Sequence, residues 1–173
     1  MRKHLRSFEV VSVLLALLSL FLMLQTKANL TLSIQTVDSH DGRFSSLALD
    51  SSGNPHISYC DGTVGDLKYA AWNGSAWSIQ TVDSAVIRVN SLVLDVSGKS
   101  QISYSANGNL KYAAWTGSSW SIQTVDSAGT VGVHTSLALD SSGNPHISYS
   151  DNTNRDLKYA AWTGSSWSIQ TVD

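Results

Sequence analysis

LKYAAWTGSSWSIQTVD runs from Leu110 to Asp126 and again, letter for letter, from Leu157 to Asp173. A near copy, LKYAAWNGSAWSIQTVD, spans Leu67–Asp83, and its last letters, SIQTVD, stand once more at Ser33–Asp38. Aligned on SIQTVD, the copies start at Ser33, Ser78, Ser121 and Ser168, at spacings of 45, 43 and 47 residues. A period in the forties marks a repeat architecture. Within each period the apolar pattern has the two-residue step of a strand, not the step of a helix. LKYAAW puts Leu67, Tyr69 and Ala71 on one face. SLALD (Ser46–Asp50, Ser136–Asp140), HISY (His56–Tyr59, His146–Tyr149) and WSIQTVD complete four short strands, each bounded by turn residues.

The turns carry their own chemistry. In DSSGNP, Asp50 can accept bonds from the turn backbone, Gly53 supplies a positive φ, and Pro55 falls at a strand's first residue, where a missing N–H does least harm. WNGSAW and WTGSSW join strands three and four. Four antiparallel strands per period describe an all-β chain of β-propeller blades. The pattern predicts strands over 45–50, 55–60, 67–72 and 77–82, and blades over approximately 45–83, 90–126 and 135–173, with an extra N-terminal strand over 32–38. Closed propellers have about 4–8 blades, so three predict an incomplete propeller. Two origins fit: truncation of a longer chain, or a homodimer completing a six-blade ring. Length varies only between strands two and three (Asp61–Asp66 against Ala106–Asn109) and between blades, as in Asp126–Thr135. Those loops share one rim, which makes it the better place for function.

The N-terminus reads as a secretory signal over 1–28. Arg2, Lys3 and Arg6 form its positive head, Val10–Leu24 its apolar run, and Thr26-Lys27-Ala28 its cleavage site. That expectation places residues 29–173 outside the cell or on its surface. A retained signal would be the only tie to a membrane. Beyond residue 28 there remain seven Lys and Arg against twelve Asp and no Glu. Such a balance argues against nucleic acid, which needs clustered cations. Cys60 is the single cysteine, so no internal disulfide can form; it stands where other copies carry Ser105 and Ser150 and reads as a small buried side chain.

The hairpin AAWNGSAW (Ala70–Trp77), repeated as AAWTGSSW (Ala160–Trp167), resembles the Asp-box of sialidase-type propellers. Gly74, Gly117 and Gly164 match its glycine, and Trp77, Trp120 and Trp167 its tryptophan, while Trp72, Trp115 and Trp162 stand where its Asp belongs. Over residues 33–173 the repeat is similar to those of secreted prokaryotic propellers. That similarity implies a fold and an extracellular setting.

Candidate ligand-binding residues follow from the repeat. Trp72 and Trp77, Trp115 and Trp120, and Trp162 and Trp167 flank four-residue loops, as cross-strand pairs that stabilise the hairpin or as platforms on which a sugar stacks. His56 and His146 share a position with Gln101; Gln can replace a hydrogen-bonding core residue but not a metal ligand or base. His40 and His134 have no repeat equivalent and, with Arg43, Arg88 and Arg155, are the rim candidates, the arginines being expected in loops. Lys68, Lys111 and Lys158 read as snorkelling side chains. The Asp residues read as turn punctuation. DNTNRD (Asp151–Asp156) has acids at its first and sixth positions and none at its third or fifth, so no metal site and no cofactor are expected. Catalytic residues are not apparent: three Arg and no Glu lack the residue set of a sialidase, and the chain is expected not to be an enzyme. The expected function is a binding or scaffold module for glycans or a surface protein. The alternatives are a purely structural surface repeat and a fragment of a larger propeller hydrolase.

Overall fold

The first strand of each repeat is aliphatic, the second and third are the best buried, and the fourth is edged with polar residues. The computed structural model describes residues 33–173, and every strand lies in the unit Thr36–Asp173. Blade one comprises β1 (Gly42–Leu49), β2 (Pro55–Asp61), β3 (Leu67–Trp72) and β4 (Trp77–Asp83). Blade two comprises β5 (Ile87–Leu94), β6 (Ser100–Ala106), β7 (Asn109–Trp115) and β8 (Trp120–Asp126). Blade three comprises β9 (Val131–Leu139), β10 (Pro145–Asp151), β11 (Asp156–Trp162) and β12 (Trp167–Thr171). Each blade is an antiparallel sheet in sequence order, and the described residues contain no helix. The first strands stand side by side, β5 between β1 and β9, which makes them the inner strands of propeller-like blades.

The tight turns form as their residues require. Asp50 Oδ1 accepts the backbone N–H of Ser52 and of Asn54, both at 2.8 Å, while Gly53 takes φ 80°. The same arrangement recurs at Asp140, where Ser142 and Asn144 donate.

Two expectations change. Ser33–Asp38 forms no strand, although it repeats the sequence of β12, and Leu32 lies outside the described residues, as does the expected signal over 1–28. A fourth strand pairs with the LKYAAW strand of its own blade, and no LKYAAW precedes Ser33. The first strands also begin earlier than predicted, because each carries a β-bulge near its start, between Arg43 and Ser46 in β1 and between Ile87 and Val89 in β5. Bulges bend a strand and re-aim its side chains. Arg43 and Arg88 therefore lie within β1 and β5, not in loops.

The core sits between blades. One apolar cluster joins Leu67, Tyr69 and Val82 of blade one to Leu92, Ile102 and Tyr104 of blade two. A second joins Leu110, Tyr112 and Val125 of blade two to Leu137, Ile147 and Tyr149 of blade three. Gly132, at φ 85°, belongs to the second contact: a Cβ there would lie 2.9 Å from Leu110 Cα.

Polar bonds lock the same interfaces. The Asp that ends a fourth strand is gripped by the next blade: Tyr104 and Lys111 donate to Asp83 Oδ2 at 2.8 and 2.9 Å, and Tyr149 and Lys158 to Asp126 Oδ2, both at 2.7 Å. These Asp residues are inter-blade acceptors as well as punctuation, and Lys111 and Lys158 do not snorkel. Blade one shows half of this clasp. Tyr59 donates to Asp38 Oδ2 at 2.6 Å, but Lys68 turns to Thr81 Oγ1 of its own sheet at 2.7 Å. A further pair of bonds runs from backbone to hydroxyl: Leu92 N–H donates to Ser46 Oγ and Leu137 N–H to Ser91 Oγ.

Candidate functional site

The tryptophan pairs are built by register. Trp72 faces Trp77, Trp115 faces Trp120 and Trp162 faces Trp167 across their hairpins, with ring centroids 5.4–5.5 Å apart. All six side chains are half-buried. The second member of a pair also reaches the preceding blade. Trp120 Nε1–H donates to Gln80 Oε1 at 3.1 Å and its ring meets Tyr69 edge-on at 5.2 Å; Trp167 does the same with Gln123 at 3.0 Å and Tyr112 at 5.4 Å. Trp77 Nε1 is buried and has no partner among the described residues.

Beside the Trp162–Trp167 pair, the seam between blades two and three opens as a groove of about 290 Å³ on the rim of the tight turns. Tyr112 and Gln123 line it from blade two, and Asn144, Pro145, Trp162 and Trp167 from blade three. No charged side chain lines it. Asn144 N–H and Nδ2–H are both held by Asp140, a carboxyl kept down at about 2 chiefly by these bonds from Asn144. That grip fixes the Asn144 amide and turns its carbonyl away from Asp140. At the corresponding seam between blades one and two, Lys99 and Ser100 replace Asn144 and Pro145, and the Ser100 hydroxyl donates to Tyr69 OH at 2.7 Å. The groove thus carries aromatic rings and an amide on each wall and is uncharged. It can stack an apolar face and bond a few hydroxyls.

His56 Nδ1 bonds the Tyr69 hydroxyl, His146 Nδ1 that of Tyr159, and Gln101 Oε1 accepts from Tyr112 OH. The three are interchangeable hydrogen-bonding partners of a tyrosine one strand away. Burial is the main force raising the Tyr112 hydroxyl to about 12, so it stays protonated as that donor.

The rim candidates do not converge. His40 is exposed and bonds Asp38 Oδ1 at 2.8 Å; that bond is the first cause of its raised pKa. Arg43 pairs with neighbouring Asp41, and Arg88 is exposed on the β5 bulge. His134 and Arg155 occupy left-handed backbone, at φ 53° and 68°, and are exposed. No hydrogen bond or ion pair joins any two of these five among the described residues. The Asp151 carboxylate is occupied by its own loop, accepting from Thr153 N–H, Asn154 N–H and Asn154 Nδ2. Cys60 is buried, its thiol pKa raised mainly by that burial. The groove itself was legible only in part: the tryptophans repeat in the sequence, but Gln123 and Asn144 come from different blades.

No protein-family model matches the chain, and the search among curated proteins gives no match. Among solved structures the chain is similar to the intramolecular trans-sialidase from Ruminococcus gnavus, determined in complex with oseltamivir carboxylate. The identity is 17% and the TM-score 0.48, over 85% of this chain and 39% of that one. The chain therefore spans well under half the length of that protein. The expectation that the chain is not an enzyme does not survive this finding, since the similar protein is an enzyme. Counting Arg and Glu excludes one set of catalytic residues, not catalysis.

Proposed function

We propose that the blades form an exported glycan-binding module and that the groove at Trp162 and Trp167 receives a neutral sugar. The observation that carries this reading is the lining: two half-buried indoles and a tyrosine beside a fixed amide, with no charge. The apolar face of a pyranose stacks on such rings, and its hydroxyls bond amides. An anionic sugar finds no cation in the groove. Export rests on the N-terminal run Val10–Leu24 and the cleavage site ending at Ala28.

Titration calorimetry against a panel of neutral and anionic oligosaccharides tests the reading. A neutral glycan is expected to bind, and Trp162→Ala is expected to weaken it at least about tenfold while the β-sheet circular dichroism signal persists. Failure of every neutral glycan to bind, or equal affinity in the variant, refutes it.

A further inference from the structure

The repeat builds the same blade-to-blade contact twice and leaves its two halves open at opposite ends of the described blades. On one side of the contact stand Leu92 and Leu137, 5% and 6% exposed beneath the preceding blade; their counterpart in blade one, Leu47, is 62% exposed. On the other side stand Leu67 and Leu110, both fully buried; their counterpart in blade three, Leu157, is 47% exposed. The polar part of the contact is split in the same way. Trp120 and Trp167 find Gln80 and Gln123, whereas Trp77 Nε1 is buried without an acceptor and Gln170, the equivalent amide of blade three, is exposed.

We propose that the open face of blade one docks blade three of a second copy of this chain. The occupant follows from the molecule: blade two covers Leu137 and Trp167, the counterparts of Leu47 and Trp77, with its Leu110–Asp126 stretch, and blade three carries that stretch in the identical sequence at Leu157–Asp173. Leu157 would then be covered by the partner's blade one as Leu110 is covered by blade three. The acidic clasp is already filled at this face, because Asp38 accepts the Tyr59 hydroxyl. The incoming blade can supply Gln170, with Asp38 rather than the incoming Asp173 holding the Tyr59 hydroxyl. Two copies related by a two-fold axis make this contact twice and close a six-blade ring, within the range of closed propellers. A single such contact would leave an open chain of copies instead.

Sedimentation equilibrium on the purified chain, together with two face variants, tests the proposal. The wild-type chain is expected at twice the chain mass of its recovered form. Leu47→Asp and Leu157→Asp each break both contacts of a pair and are expected at one chain mass, with unchanged circular dichroism. Mixed in equal amounts, they should regain a dimer held by one intact contact, because Leu157→Asp keeps the Leu47 face and Leu47→Asp keeps the Leu157 face, while the second contact carries both charges. If either charged variant fails to fold, Leu47→Ser and Leu157→Ser replace the pair. A monomeric wild type, a spread of larger species, folded variants that remain paired, or a mixture that stays monomeric each overturns the proposal.

Discussion

Blade two and the outward faces of blades one and three share one sequence pattern and live in different surroundings. Val82 and Val125 are 7% and 8% exposed, while Val172, in the same SIQTVD, is 61% exposed. Ser58 and Ser103 are fully buried, and Ser148 is exposed. Nothing in the local sequence accounts for the difference; the letters around Val125 and Val172 are the same. In a repeat array each unit contacts only its neighbours, so burial belongs to the interface rather than to the residue. A side chain's energetic weight should therefore follow its position in the array and ignore its sequence context.

The largest expected effect lies in the acidic clasps. The Asp126 side chain is 5% exposed and holds Tyr149 and Lys158. Asp126→Ala leaves the buried Tyr149 hydroxyl without its acceptor and Lys158 with only Asp151, 3.6 Å away, and should lower the free energy of unfolding by about 3–5 kcal/mol in urea denaturation. Asp38→Ala, which frees Tyr59 but no lysine, should cost less than half of that. Equal losses would contradict the role of the lysine.

A smaller effect is expected at the indole–amide bonds. Gln123→Ala removes the acceptor of Trp167 Nε1 and should cost about 1–3 kcal/mol. Gln170→Ala, on the open face, should change stability by no more than about 0.5 kcal/mol in dilute protein. The same urea titration reads both.

The smallest effect is in pH. Asp38 is held down to about 2, first by the Tyr59 hydroxyl and then by His40. Burial opposes ionisation of Asp126, yet Lys158, the Ala128 N–H and Tyr149 leave its pKa lowered. An unfolded Asp titrates near ~4, so these carboxylates stabilise the fold above that pH and cease to do so as the pH falls through their lowered folded values, about 2 for Asp38. His40 acts in the opposite sense: its raised pKa favours the fold below the unfolded value of about 6.5, and that contribution disappears as the pH rises through the folded value. The melting temperature should rise slightly as the pH falls from neutral and His40 takes up its proton, and should decline below about pH 4. A decline that begins well above pH 4 would mean that other groups control acid stability.

Strand positions, turns and the tryptophan pairs were legible because they depend on neighbours within one hairpin. Asp50 and Gly53 announce their turn within five letters. Asp83 does not announce Tyr104 and Lys111, because the bonds cross to another blade and a strand-ending Asp reads as a turn residue. Arg43 and Arg88 look like loop residues because a bulge breaks the alternation that would mark β1 and β5. Ser33–Asp38 reads as a strand because its letters are those of β12. What it lacks among the described residues is a partner strand, a property that the segment itself does not display.

The central claim, that the neighbouring blade and not the sequence sets what a residue contributes, is tested most directly at one repeated leucine. Leu47→Ala, Leu92→Ala and Leu137→Ala make the same substitution at the same repeat position. Their unfolding in urea can be followed by tryptophan fluorescence at protein concentrations low enough to keep the copies apart. Leu92→Ala and Leu137→Ala are expected to lose about 2–4 kcal/mol each, and Leu47→Ala no more than about 0.5 kcal/mol. Three equal losses would contradict the account.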